Sequence, residues 1–88
     1  MLEYDRKKLG QYLKGVRENA NYTQADVSTK LGYTSPQFIS NIERGISVVP
    51  LKTLSRMVNL YKVSPESVVK IILESQRKLL KEKLSKGK

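Results

Sequence analysis

Helix-capping residues recur along this chain at intervals too short for anything but a bundle of short helices. Asp5 precedes Leu9, Leu13, Val16 and Ala20, apolar positions at the three- and four-residue steps of one helix face. The turn residues Asn19 to Tyr22 end that helix. Thr23 stands three residues before Asp26, the capping-box spacing in which each side chain serves the other residue's backbone N–H. Val27 and Leu31 then form a short inward face, Ser28 is small enough for close packing, and Gly32 supplies a stop. Ser35-Pro36 sets a capping hydroxyl ahead of a proline at the first helical position, where the missing N–H is not needed. Ile39 and Ile42 are the buried stripe of this third helix, and Gly45 ends it. After an extended stretch from Ile46 to Pro50, the positions Leu51, Leu54, Met57, Val58 and Leu60 predict a fourth helix. Ser64-Pro65-Glu66 opens a fifth, running through Val68, Val69, Ile72 and Leu73. No segment alternates with period two, so strands are not expected. The fold class is all-α, with five short helices.

Composition removes most chemistry. The chain of 88 residues has no cysteine and no histidine, which excludes a disulfide framework, a thiolate zinc site, a thiol nucleophile and an imidazole base together. No cofactor, no metal and no enzymatic activity are expected, and Glu43 as a catalytic base has no partner to work with. The opening Met1-Leu2-Glu3-Tyr4-Asp5 is polar, without an apolar leader. The longest apolar run, Val68 to Leu73, is broken by Lys70 and falls far below the ~20 residues that span a bilayer. A soluble, cytoplasmic protein is the expectation. Charge is the positive signal: 17 Lys and Arg against 8 Asp and Glu give +9. Residues 1–64 hold ten basic and five acidic residues and residues 65–88 hold seven and three, so the excess runs along the whole chain. Such a surface favours a polyanion, either nucleic acid or an anionic membrane.

The choice between them lies in Thr23–Gly45. Two short capped helices meeting at a tight turn make a helix-turn-helix, whose second helix enters the DNA major groove while the first crosses the backbone. The outward face of the third helix bears Gln37, Ser40, Asn41 and Arg44, groups able to pair with base edges and phosphates. Phe38 is expected to pack across the turn on Tyr33.

The segment resembles the phage-repressor (lambda-repressor-like, XRE-type) family of helix-turn-helix domains. The resemblance is carried by Thr23-Gln24, Leu31-Gly32, the run Ile39-Ser40-Asn41-Ile42-Glu43-Arg44-Gly45, and Pro50-Leu51-Lys52-Thr53-Leu54. It covers about Leu9 to Leu73 and implies a five-helix domain that binds double-stranded DNA. Between Gly32 and Glu43 the chain is one residue longer than the usual family spacing, the extra residue falling in Tyr33-Thr34-Ser35. Anchored on Glu43-Arg44-Gly45, the resemblance implies base reading by Gln37 and Asn41, with Ser40 beside them. It implies phosphate contact by Gln24, Thr23, Arg17, Arg44 and Lys52, and a structural brace between Arg17 and Glu43. Lys and Arg supply most of the affinity and the amide edges the sequence preference.

Residues 1–74 are read as the DNA-binding domain and residues 75–88 as a basic extension of the last helix. Ile72, Leu73, Gln76, Leu79, Leu80 and Leu84 continue a helical stripe past the end of a five-helix domain. Ile72, Leu79, Leu80 and Leu84 are assigned to a homodimer contact. The expected function is a dimeric regulator, most simply a repressor, on a palindromic operator. The rivals are an antitoxin-like protein-interaction module that keeps the fold and a membrane-surface protein that uses the last helix as a basic amphipathic anchor.

Overall fold

The structure is a computed structural model and describes residues 3–86. Five helices follow one another: α1 (Arg6–Asn19), α2 (Gln24–Leu31), α3 (Gln37–Glu43), α4 (Leu51–Tyr61) and α5 (Pro65–Lys86). No strand occurs among the described residues. The caps fall where their chemistry places them. Asp5 accepts from the Lys8 N–H at 3.1 Å, and Thr23 and Asp26 form the reciprocal capping box of α2. Ser64 Oγ accepts from the Glu66 N–H at 3.1 Å at the start of α5. At α3 the regular helix begins one residue later than the sequence suggested. Pro36 has helical dihedrals and its carbonyl accepts from Ser40 N, but Ser35 Oγ reaches Gln37 N only at 3.4 Å.

Leu9, Leu13, Val27, Leu31, Ile39, Ile42, Leu54, Met57, Val58 and Val68 converge on one core, joined by Val49 and Tyr61. At the centre, α1 and α3 meet backbone to backbone. A Cβ built on Gly10 would stand 2.5 Å from the carbonyl oxygens of both Ile42 and Glu43. Gly45, with φ +76°, passes so close to Lys7 that a Cβ there would lie 2.8 Å from its Cα. Two glycines thus let α1 seat directly on the C-terminal end of α3, which fixes the tilt of the third helix.

Leu51, one of the apolar positions that mark α4, is 74% exposed. On α5 the inward face is Val68, Ile71, Ile72 and Ser75, whereas Val69 and Leu73 are exposed. The apolar run from Val68 to Leu73 covers two faces of the helix, and periodicity alone merges them. Ser75 is the least expected member of the inward face. It is buried, its hydroxyl accepts from the Asp5 N–H at 2.8 Å, and it donates to the Ile72 carbonyl. Helix α5 runs unbroken through this point, and Leu79, one turn further, is half-buried against the start of α1.

Candidate nucleic-acid interface

The site is built on a buried ion pair. Arg17 of α1 donates from Nε to Glu43 Oε2 at 2.7 Å and from Nη2 to Oε1 at 3.1 Å, a two-pronged contact between α1 and the end of α3. Its third nitrogen donates to the Tyr22 carbonyl at 2.7 Å. Both side chains are withdrawn from water, at 8% and 2% exposure, so each charge relies on the other. Hydrogen bonding to Glu43 holds the guanidinium above its ordinary pKa. Gln24, the first residue of α2, donates from Nε2 to Glu43 Oε1 at 2.9 Å. One carboxylate therefore ties α1, α2 and α3 together. Arg17 was also expected to reach a phosphate. In the structure its three nitrogens are engaged inside the fold and its side chain is buried.

The turn is pinned despite its extra residue. Ser28 Oγ donates to the Ser35 carbonyl at 2.5 Å, and Tyr33 Oη pairs with Thr53 Oγ1 of α4 at 3.1 Å. Phe38 meets the Tyr33 ring edge-on at 5.0 Å between centroids, an arrangement favoured by the ring quadrupoles. Arg56 of α4 donates to the Leu31 and Lys30 carbonyls at 3.1 and 3.5 Å, closing the C-terminal end of α2.

Burial of Ile39 and Ile42 leaves the opposite face of α3 open. Gln37 is exposed and donates from Nε2 to Asn41 Oδ1 at 3.0 Å. Ser40 and Asn41 are half-buried, and Arg44 is exposed. The pairing uses Gln37 Nε2 and Asn41 Oδ1, so an acceptor on Gln37 and a donor on Asn41 remain for other partners. At α2 the capping box engages the N–H groups of Thr23 and Asp26. Those of Gln24 and Ala25 lie in the first turn, without an acceptor inside the helix. Lys52, in the first turn of α4, is exposed. The structure thus gathers Gln24, Glu43 and Arg17 into one cluster, and Gln37 and Asn41 into another.

Sequence reasoning missed Arg56, Tyr33–Thr53 and Ser75, because each depends on a partner far along the chain. It also missed Tyr61. Its ring packs near Tyr22 behind the brace, and its hydroxyl is buried with no hydrogen-bond partner among the described residues. Burial pushes its phenol above the ordinary value. Removing an unsatisfied buried hydroxyl removes a desolvation cost of about 1–3 kcal/mol. Tyr61→Phe should therefore melt at a higher temperature than the wild type; a lower melting temperature would show that the hydroxyl has a partner.

No group of acidic residues able to hold a metal ion occurs among the described residues, and none of their helices is long and apolar enough to cross a membrane. A braced pair of short helices with an open amide face defines a DNA-binding protein of the helix-turn-helix class. The sequence matches the helix-turn-helix family model over residues 13–68, and the chain belongs to that family, as a transcriptional regulator of the XRE type. Among solved structures, the chain is similar to the clp gene regulator ClgR from C. glutamicum, with a TM-score of 0.69 and 22% identity over 86% of this chain and 96% of that one. It is also similar to a point mutant of the restriction-modification controller protein C.Esp1396I, with a TM-score of 0.65 and 24% identity over 84% of this chain and 92% of that one. At these identities the likeness concerns the fold. Comparison with curated proteins gives no match.

Proposed function

We propose that this protein is a cytoplasmic repressor that binds double-stranded DNA in a sequence-specific manner, as a homodimer on a palindromic operator. The observation that carries the reading is the Gln37–Asn41 pair, held on the open face of a helix whose base is locked by a buried ion pair. Its remaining acceptor and donor match in kind the N6 donor and N7 acceptor of adenine in the major groove. Gln24, Thr23 and the first-turn N–H groups of α2 face one phosphate, where a helix N-terminus suits an anion. Arg44 and Lys52 extend the contact along the backbone. Two copies set their third helices into successive major grooves, on half-sites about 34 Å apart. Occupying a promoter in this way blocks transcription without an additional domain.

Selection of bound duplexes from random DNA tests the reading: a symmetric motif is the expected result, and recovery of unrelated sequences overturns it. Two substitutions then separate reading from holding. Gln37→Ala or Asn41→Ala should cost roughly 1–3 kcal/mol on the selected site and little on random duplex. Lys52→Ala should weaken both alike and reduce the salt dependence by about one phosphate. Equal loss on both duplexes for Gln37→Ala would remove it from the base-reading set.

A further inference from the structure

Helix α1 turns three sides to its surroundings. Leu9 and Leu13 enter the core, and Val16 packs against it. Gly10 and Arg17 face α3, the first at the Ile42 and Glu43 carbonyl oxygens and the second at the Glu43 carboxylate. At about 100° per residue, this second side lies roughly 80° around the helix from the first. Another turn of roughly 80° in the same sense reaches Lys14, Lys7, Glu18 and Gln11, all of them exposed. On α3 the corresponding path runs from Ile39 and Ile42 in the core, past Glu43, to Ser40 and the exposed Arg44. Both helices thus put their core residues on one side of the junction they share. The outer side of α1 and the open face of α3 lie together on the other.

We propose that the outer side of α1 is a second phosphate-binding edge of the DNA interface, in which Lys7 and Lys14 neutralise backbone phosphates beside the groove that α3 enters. Position is the first argument. A Cβ on Gly45 would stand 2.6 Å from Lys7 Cγ, so the lysine stem lies across the end of α3, next to Arg44. Arg6 Nη1 donates to the Ile46 carbonyl at 3.4 Å, which lays the first turn of α1 along the connection to α4. That connection supplies the second argument: between Arg44 and Lys52 no residue is charged. An edge that would otherwise lack a cation receives one from α1.

Availability is the third argument. Among the described residues no carboxylate pairs with Lys7, Lys14 or Arg44, whereas Glu18, the one acid on this side of α1, stands 4.0 Å from Arg17. Lys7 and Lys14 are about 10.5 Å apart along the helix axis, a length over which one DNA strand carries about three charges. Two lysines so spaced meet separate phosphates. Lys8 shows that position, rather than charge alone, selects these two. It is also exposed, but it lies roughly 170° around the helix from the side that faces α3.

The inference rests on the DNA-binding reading and assigns it a further pair of contacts. Lys7→Gln, Lys14→Gln, their double variant and Lys8→Gln are titrated with random duplex and with the selected duplex over a range of salt. Glutamine keeps the methylenes that Lys7 lays on Gly45 and removes the charge. The double variant should flatten the slope of log affinity against log salt by about two phosphates, and each of its singles by about one. Lys8→Gln should leave the slope unchanged. The preference for the selected duplex should survive in every variant, because phosphate contacts carry no sequence information. An unchanged slope in the double variant overturns the proposal, and so does equal flattening by Lys8→Gln, which would reduce the effect to net charge. Lys14→Gln stands in the middle of a helix at an exposed position, so its slope decides the matter even where Lys7→Gln disturbs the seat on Gly45. Wild-type protein that bound both duplexes equally would sink the sequence-specific regulator and leave the slopes to be compared on random duplex.

Discussion

Truncating Glu43 to alanine is expected to destabilise the protein by about 3–5 kcal/mol, because it strands the Arg17 guanidinium without a counter-charge inside the fold. Small domains have only about 5–15 kcal/mol to lose. The same change removes the acceptor of Gln24, so the first turn of α2 loses its tie to α3. Arg17→Ala should cost a similar amount, leaving a carboxylate that is 2% exposed without its partner. The double alanine variant should lose clearly less than the sum of the singles, since the second truncation removes a charge that the first had orphaned. Thermal melting and denaturant titration of the four proteins complete the cycle; strict additivity would show that the two side chains do not interact. A paired replacement, Arg17→Met with Glu43→Leu, should recover much of the loss, because a buried ion pair is worth little more than well-packed apolar groups. Stability and DNA reading then separate: the apolar pair restores the fold without giving Gln24 its acceptor, so affinity for the selected site should stay below that of wild type.

Much of this architecture is legible from local chemistry. Asp5, Thr23 with Asp26, and Ser64 cap their helices because a short polar side chain reaches a free N–H two or three residues on, within a single turn of chain. Ile39 and Ile42 go inward for the same local reason, which leaves Gln37 and Asn41 outward. What the sequence hides depends on distance along the chain. Ser75 looks like a polar interruption of an apolar helix until Asp5 is placed beside it, and Arg56 looks like a surface cation until the carbonyl end of α2 arrives. The Arg17–Glu43 pair became legible only through a family resemblance, since nothing near either residue announces the other. The same resemblance credits Arg17 with a phosphate as well, whereas the structure encloses the side chain. The stripe on α5 misled for another reason: two apolar faces on one helix look like a single broad face when read by spacing.

Glycine gives the sharpest contrast between local and tertiary reasoning, and α1 contains two. Alanine is favoured over glycine in a helix interior by about 1 kcal/mol, so local reasoning predicts that replacing either stabilises the protein. At Gly15 a new Cβ meets nothing within 4 Å, and Gly15→Ala should raise stability by about 0.5–1 kcal/mol. At Gly10 the same methyl would stand 2.5 Å from two backbone carbonyl oxygens and 2.9 Å from the Glu43 carbonyl carbon. Backbone cannot rotate aside as a side chain can, so relief requires α1 to back away from α3. Gly45 closes against Lys7 on the same junction, and retreat would open that contact as well. Overpacking of this kind costs typically 1–3 kcal/mol and occasionally more, enough to reverse the helix-propensity gain. Gly10→Ala should therefore melt well below wild type while Gly15→Ala melts above it. Because Arg17 rides on the same helix, displacement of α1 also stretches the brace and lets α3 tilt, so sequence-specific DNA binding should fall further than stability alone accounts for. Comparison at a temperature where both variants are fully folded isolates that second effect. Unchanged affinity for Gly10→Ala there would show that the seat of α1 on α3 does not set the angle of the recognition helix.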